Sequence, residues 1–162
     1  MWERILKPRD FSQFIVGRMN EVCDRILHPG QRLTALKRAM LQVGENCDFL
    51  VSKEYWVSYQ MPEEYYPPGE APQDWHEAKI DVTWFKPGET KPYMAIEIDN
   101  YPYIKSIAKL RASNASLLIW VYIGDVELDG LDIDGITVLR PKPSDRTNWV
   151  PVKKKKKLCK KT

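Results

Sequence analysis

With 162 residues, 43% of them hydrophobic and 29% charged, the chain is long enough for one domain with a real core and too short for two. Its net charge of +3 conceals a division, because seven of the 25 basic residues crowd into "KKKKKLCKKT" at 153–162 and leave 18 basic against 22 acidic groups elsewhere. No apolar run is longer than "SLLIWVYIG" and "MWERILKPRD" carries charges, which excludes a membrane span and a signal peptide and makes a cytoplasmic location the expectation.

In chain order, apolar residues recur with helical spacing at Phe14, Ile15, Met19, Val22, Cys23, Ile26 and Leu27, so a first helix is predicted over 11–27. "HPGQ" interrupts it. A second helix is predicted over 32–43, burying Leu33, Leu36 and Met40 and stopping at Gly44. "CDFLVSKEYWVSY" reads as the first strand, with Glu54 inside it, and the proline-rich "MPEEYYPPGEAPQ" as a loop. In "HEAKIDVTWF" Ala78, Ile80, Val82 and Trp84 alternate with Glu77, Lys79, Asp81 and Thr83, which predicts a strand with one apolar and one ionic face. "KPGETKP" is a turn. "MAIEID" then sets Met94, Ile96 and Ile98 on one face of a strand and Ala95, Glu97 and Asp99 on the other. After Pro102 a helix is predicted, with Ile104, Ile107, Ala108 and Arg111 along one stripe and Lys105 and Lys109 along the next. "SLLIWVYIG" is apolar on both faces, as a central or parallel strand should be, and "GLDIDGITVLRP" ends in an edge strand. The fold class is α/β, with α+β as the neighbouring possibility: a central mixed β-sheet flanked by helices. One domain is expected over 1–152, helical to residue 44 and sheet-based over 45–140, followed by a disordered lysine-rich tail at 153–162 whose natural partner is a polyanion.

Cys23, Cys47 and Cys159 lack any CxxC pairing, so neither a disulfide framework nor a zinc knuckle is supported. His76 stands directly beside Glu77, and no CxxC accompanies them, so a deaminase reading is poor. A metal would have to be held by oxygen, and the oxygens are present. Asp81 and Glu97 lie on the polar faces of strands that the short turn makes neighbours, so their carboxylates converge. Asp99 adds a third carboxylate and the Ile98 carbonyl lies between, a donor set that suits Mg²⁺ or Mn²⁺ with water left for a substrate phosphate. The cation would relieve the repulsion between the acids. Phosphodiester hydrolysis also needs a group to orient or deprotonate water and to offset charge, and Lys105, Lys109 and Lys79 are in range. Trp56, Tyr59, Tyr65 and Tyr66 are candidates for stacking on bases. The plain alternative is a wet sheet face on which the acids pair with Lys79, Lys105 and Lys109, and core or flap packing for the aromatics.

This order of elements, with Asp in "KIDVTWF" and Glu in "AIEID", resembles the PD-(D/E)XK, or restriction-endonuclease-like, nuclease superfamily over about 31–140. The resemblance implies a restriction-endonuclease-like fold and a divalent-metal-dependent endonuclease acting on DNA, with no membrane partner and with a homodimer left open. It implies Asp81 and Glu97 as metal ligands and Glu54 as the accessory acid of the first strand. Where the commonest pattern has lysine, this chain has Asp99, so either Asp99 is a further ligand and the lysine role has moved to Lys105 or Lys109, or catalysis is lost. The competing functions are a catalytically inactive nucleic-acid-binding module on the same fold and a protein-interaction domain.

Overall fold

The structure is a computed structural model that describes residues 8–25, 28–65 and 74–141. The lysine-rich tail, Ile26, Leu27, Tyr66 and the proline-rich part of the loop after Tyr65 lie outside the described residues.

Two helices come first, α1 (Pro8–Arg25) and α2 (Pro29–Asn46). The buried stripe of α1 is Phe11, Ile15, Met19 and Val22, whereas Phe14 is 57% exposed. Three residues on from Phe11, Phe14 lies about 60° round the helix, outside the buried stripe. Pro29 sits in the first turn of α2, where a missing N–H leaves no hydrogen bond unmade, so "HPGQ" is itself the start of the helix. Gly44 does not stop it. A Cβ at Gly44 would stand 2.6 Å from both Trp84 Nε1 and Val51 Cγ1, so glycine is required by the close approach of helix and sheet. The Trp84 indole donates to the Met40 carbonyl at 3.1 Å across the same contact. The helix ends at Cys47, and Asp48 turns the chain with φ 62°.

The strands are β1 (Leu50–Ser52), β2 (Trp56–Tyr59), β3 (His76–Lys79), β4 (Val82–Phe85), β5 (Met94–Asp99), β6 (Leu117–Tyr122) and β7 (Thr137–Leu139), with helix α3 (Ile104–Ala112) between β5 and β6. The main sheet has the order β1-β4-β5-β6-β7; β4 is antiparallel to both its neighbours, and β5, β6 and β7 are parallel. Strands β2 and β3 form a separate antiparallel pair. The architecture is α/β, a mixed sheet flanked by helices.

Each of the first two predicted strands is in fact two. The Glu54 N–H donates to the Ser52 hydroxyl at 3.0 Å, a local turn that ends β1 before Glu54. The Ile80 N–H donates to the Tyr55 carbonyl at 2.9 Å, and beyond it the chain leaves β2 and takes β1 and β5 as partners. Ile80 therefore packs in a different layer from Val82 and Trp84, and the expected single apolar face is split.

Two apolar layers result. Met94, Ile96 and Ile98 pack with Val82 and Trp84 under α1 and α2, while Ala95, Trp120 and Tyr122 pack with Ile80, Val57 and the α3 residues Ile107 and Leu110. Strand β5 is thus covered on both faces, and five of its six residues are buried.

Candidate functional site

The register Val82↔Ile96 and Thr83↔Ala95, continued by one pair, sets Asp81 opposite Glu97. Each is tied to the other's strand. The Asp81 N–H donates to Glu97 Oε1 at 3.0 Å, and the Ile98 N–H donates to Asp81 Oδ2 at 2.9 Å. The change of partner at Ile80 frees the Asp81 amide from a ladder bond and lets it point at a side chain. The site lies where the carboxyl end of β5 meets the start of β4 and the first turns of α3, the end of an open α/β sheet at which ligands ordinarily bind.

Both carboxylates also carry an ammonium group. Lys109, from α3, donates to Glu97 Oε2 at 2.7 Å, and Lys37, from α2, lies 2.6 Å from Asp81 Oδ1. The two pairs differ in setting: the Glu97 and Lys109 side chains are 2% and 10% exposed, whereas Asp81 and Lys37 are 15% and 44% exposed. Burial raises the Glu97 carboxyl to about 7, helped by the neighbouring Asp81 charge and opposed by Lys109.

Asp99 is held differently. Its Oδ2 accepts the Trp120 indole N–H at 2.8 Å and the carboxylate is bonded to the Ser106 side chain, while burial pushes its pKa up. Lys105 is exposed, with its ammonium 5.2 Å from the Tyr103 ring centroid. Glu54 is exposed in the turn after β1, ion-paired with Lys79, which also stands 5.2 Å from the Trp56 ring centroid. Arg111, placed on the apolar stripe of α3 by spacing, is exposed and bonded to Asp132. Trp56 and Tyr65 are 58% and 40% exposed, and Tyr59 is paired with His76 at a ring separation of 5.5 Å.

The structure therefore brings Asp81, Glu97 and Lys109 together and places Glu54 and Lys105 in other contacts. Sequence reasoning missed Lys37, Ser106 and Trp120. Lys37 had a signal, since it stands one turn from Leu33 and beside Leu36 on the edge of the apolar stripe of α2; the other two had none.

Among the described residues no three His, Cys, Asp or Glu side chains converge as a group able to hold a metal ion. Two carboxylates do face each other, however, and the Ile98 carbonyl leaves β5 on the same edge as the amide bonded to Asp81. One or two carboxylates with a carbonyl and water is the donor set that Mg²⁺ or Mn²⁺ accepts, so Asp81, Glu97 and Ile98 are the residues that would hold such an ion, and each carboxylate oxygen has a protein partner in its place. Among the described helices none is long and apolar enough to cross a membrane. Compared with known proteins, the chain matches no family model, no curated protein and no solved structure. Its function must be read from its own side chains.

Proposed function

We propose that this protein is a restriction-endonuclease-like nuclease that hydrolyses DNA phosphodiester bonds with Mg²⁺ or Mn²⁺. The observation that carries this is the reciprocal tie between Asp81 and Glu97, with Lys109 on the second carboxylate. The order of elements that the resemblance implies supports it: a helix, a strand, a strand preceded by Asp, a strand bearing Glu, a helix and an apolar strand are α2, β1, β4, β5, α3 and β6. Asp81 and Glu97 would hold the ion, with the Ile98 carbonyl beside them. The ion would supply Lewis-acid activation of the phosphate and a more acidic water. Lys109 takes the lysine role, because its ammonium reaches the carboxylate strand; it orients the attacking water and offsets charge on the phosphate. Asp99 is a positioning group that fixes Trp120 and the start of α3. The partner is DNA, met in the cytoplasm by a monomer or homodimer.

A second reading has its own support. The Asp81 and Glu97 oxygens already have protein donors, Lys37 and Lys109 among them, so the acids are neutralised without an ion. That suits a nucleic-acid-binding module without catalysis. Incubation of the full chain with plasmid, linear, single-stranded and branched DNA, with and without Mn²⁺, separates the two. The nuclease reading expects metal-dependent cleavage that is lost in Asp81→Asn and Glu97→Gln while both variants stay folded. Cleavage by both purified variants would overturn the site, and no cleavage of any substrate by the parent would favour the binding module.

A further inference from the structure

We infer that Lys37 is an exchangeable internal cation, seated on Asp81 Oδ1 until a divalent ion takes its place; this rests on the metal reading above. The Asp81 carboxylate has two oxygens with different duties. Oδ2 is fixed by the Ile98 N–H at 2.9 Å, which orients the group whether or not Lys37 is present. Oδ1 faces Lys37 at 2.6 Å, and it is the oxygen an incoming cation would use. The carboxylate is therefore preorganised by backbone and neutralised by side chain, and only the second partner needs to leave.

The two lysines of the site are not alike in their ability to leave. Lys109 is 10% exposed and sits against a carboxylate that is 2% exposed, so moving it would strand a buried charge. Lys37 is 44% exposed on a four-carbon stem, and a compact, strongly hydrated ammonium regains its water by a change of rotamer. Its backbone stays anchored because the adjacent Leu36 and the nearby Met40 are fully buried in α2. Exchange of one positive charge for two adds a charge at Asp81, while Lys109 continues to offset Glu97. The metal-free protein thus keeps its acids compensated, and metal uptake becomes a competition with a side chain of the same protein.

The test is Mn²⁺ titration of the full-length protein, read by thermal shift and calorimetry without DNA. Lys37→Met keeps the length of the stem and removes the competitor, so its apparent Mn²⁺ affinity should rise about two- to fivefold, the range expected for release of a partly exposed ion pair. Lys37→Arg should bind Mn²⁺ no more tightly than the parent. Lys79→Met removes a nearby charge that pairs with Glu54 instead, and its affinity should change less than that of Lys37→Met. Amine labelling read by mass spectrometry should show Lys37 becoming more reactive on Mn²⁺ saturation and Lys79 unchanged. Binding by Lys37→Met where the parent shows none would support the exchange in its strongest form. Equal affinities of Lys37→Met and parent, or an equal gain in Lys79→Met, would overturn it while leaving the metal site standing, provided Asp81→Asn abolishes uptake. Absence of Mn²⁺ binding in every variant would overturn both the exchange and the metal reading.

Discussion

The Lys109 ammonium lies 2.7 Å from Glu97 Oε2, and both side chains are almost wholly withdrawn from water. Such a pair contributes little net stability, because desolvation opposes the attraction, yet removing one member leaves a buried charge alone. Lys109→Met should therefore destabilise the metal-free protein by about 3–5 kcal/mol at pH 8, where Glu97 is ionised. The loss should be smaller at pH 5, where the lone carboxyl takes up a proton. Urea melts at the two pH values test this, and Glu97→Gln/Lys109→Met should recover much of the loss at pH 8. Equal losses at both pH values would show that Glu97 does not depend on Lys109 for compensation.

The raised Glu97 pKa has a definite sign in stability. The ordinary value is 4.5 and the folded value about 7, so between them the native state binds more protons than the unfolded chain. Protonation of Glu97 therefore stabilises the fold fully below about 4.5, and this contribution is lost as pH rises through about 7, up to about 3 kcal/mol as an upper bound. The difference in stability between the metal-free parent and Glu97→Gln should follow this course from pH 4.5 to 8. Apparent Mn²⁺ affinity should run the other way, rising with pH as the competing proton leaves. A parent and variant whose stabilities stay parallel throughout would refute the assignment.

Asp99→Lys restores the commoner superfamily pattern but removes the acceptor of the Trp120 indole and the partner of Ser106. We expect a loss of about 1–3 kcal/mol, the cost of a buried donor left without a partner, and less for Asp99→Asn, whose amide oxygen still accepts. Cleavage by Asp99→Asn should persist if Lys109 carries the lysine role. Thermal melts with cleavage assays on the same preparations decide it; an undiminished Tm in Asp99→Lys would show the Trp120 contact to be unimportant.

Gly44→Ala separates helix propensity from packing. In an open helix the change would stabilise by about 1 kcal/mol. Here the new Cβ would meet Trp84 and Val51 at 2.6 Å, so destabilisation by about 1–3 kcal/mol is expected instead. The sign of the shift in a denaturant melt is the readout, and a more stable variant would mean that α2 stands further from β4.

Deletion of 153–162 should weaken DNA binding and flatten its salt dependence, since seven lysines neutralise phosphates without reading sequence. Turnover at saturating DNA should survive, because the site residues lie in 37–109. The slope of log affinity against log salt, compared between residues 1–152 and the full chain, measures this. An unchanged slope would show that the tail does not contact DNA, and lost turnover would place part of the chemistry in the tail.

Local pattern was enough for the opposition of Asp81 and Glu97, because period-two alternation and a short turn set two strands and their faces without any distant contact. It was enough, too, for β6 as an interior parallel strand, whose residues are apolar in unbroken succession, and for the edge place of β7, while the middle of the sheet is β5. Only the tertiary structure decided what lies over those faces. Alternation marks Glu97 as sharing a face with Ala95 but not that α3 covers it, and this cover turns an expected wet acid into a buried one with a raised pKa. Spacing puts Lys105 and Lys109 on one stripe, yet docking of α3 buries the second and leaves the first in water. Lys37 and Trp120 reach their carboxylates from a helix before the sheet and from a neighbouring parallel strand. Their contacts depend on chain segments far apart in sequence, which periodicity within a single element cannot encode.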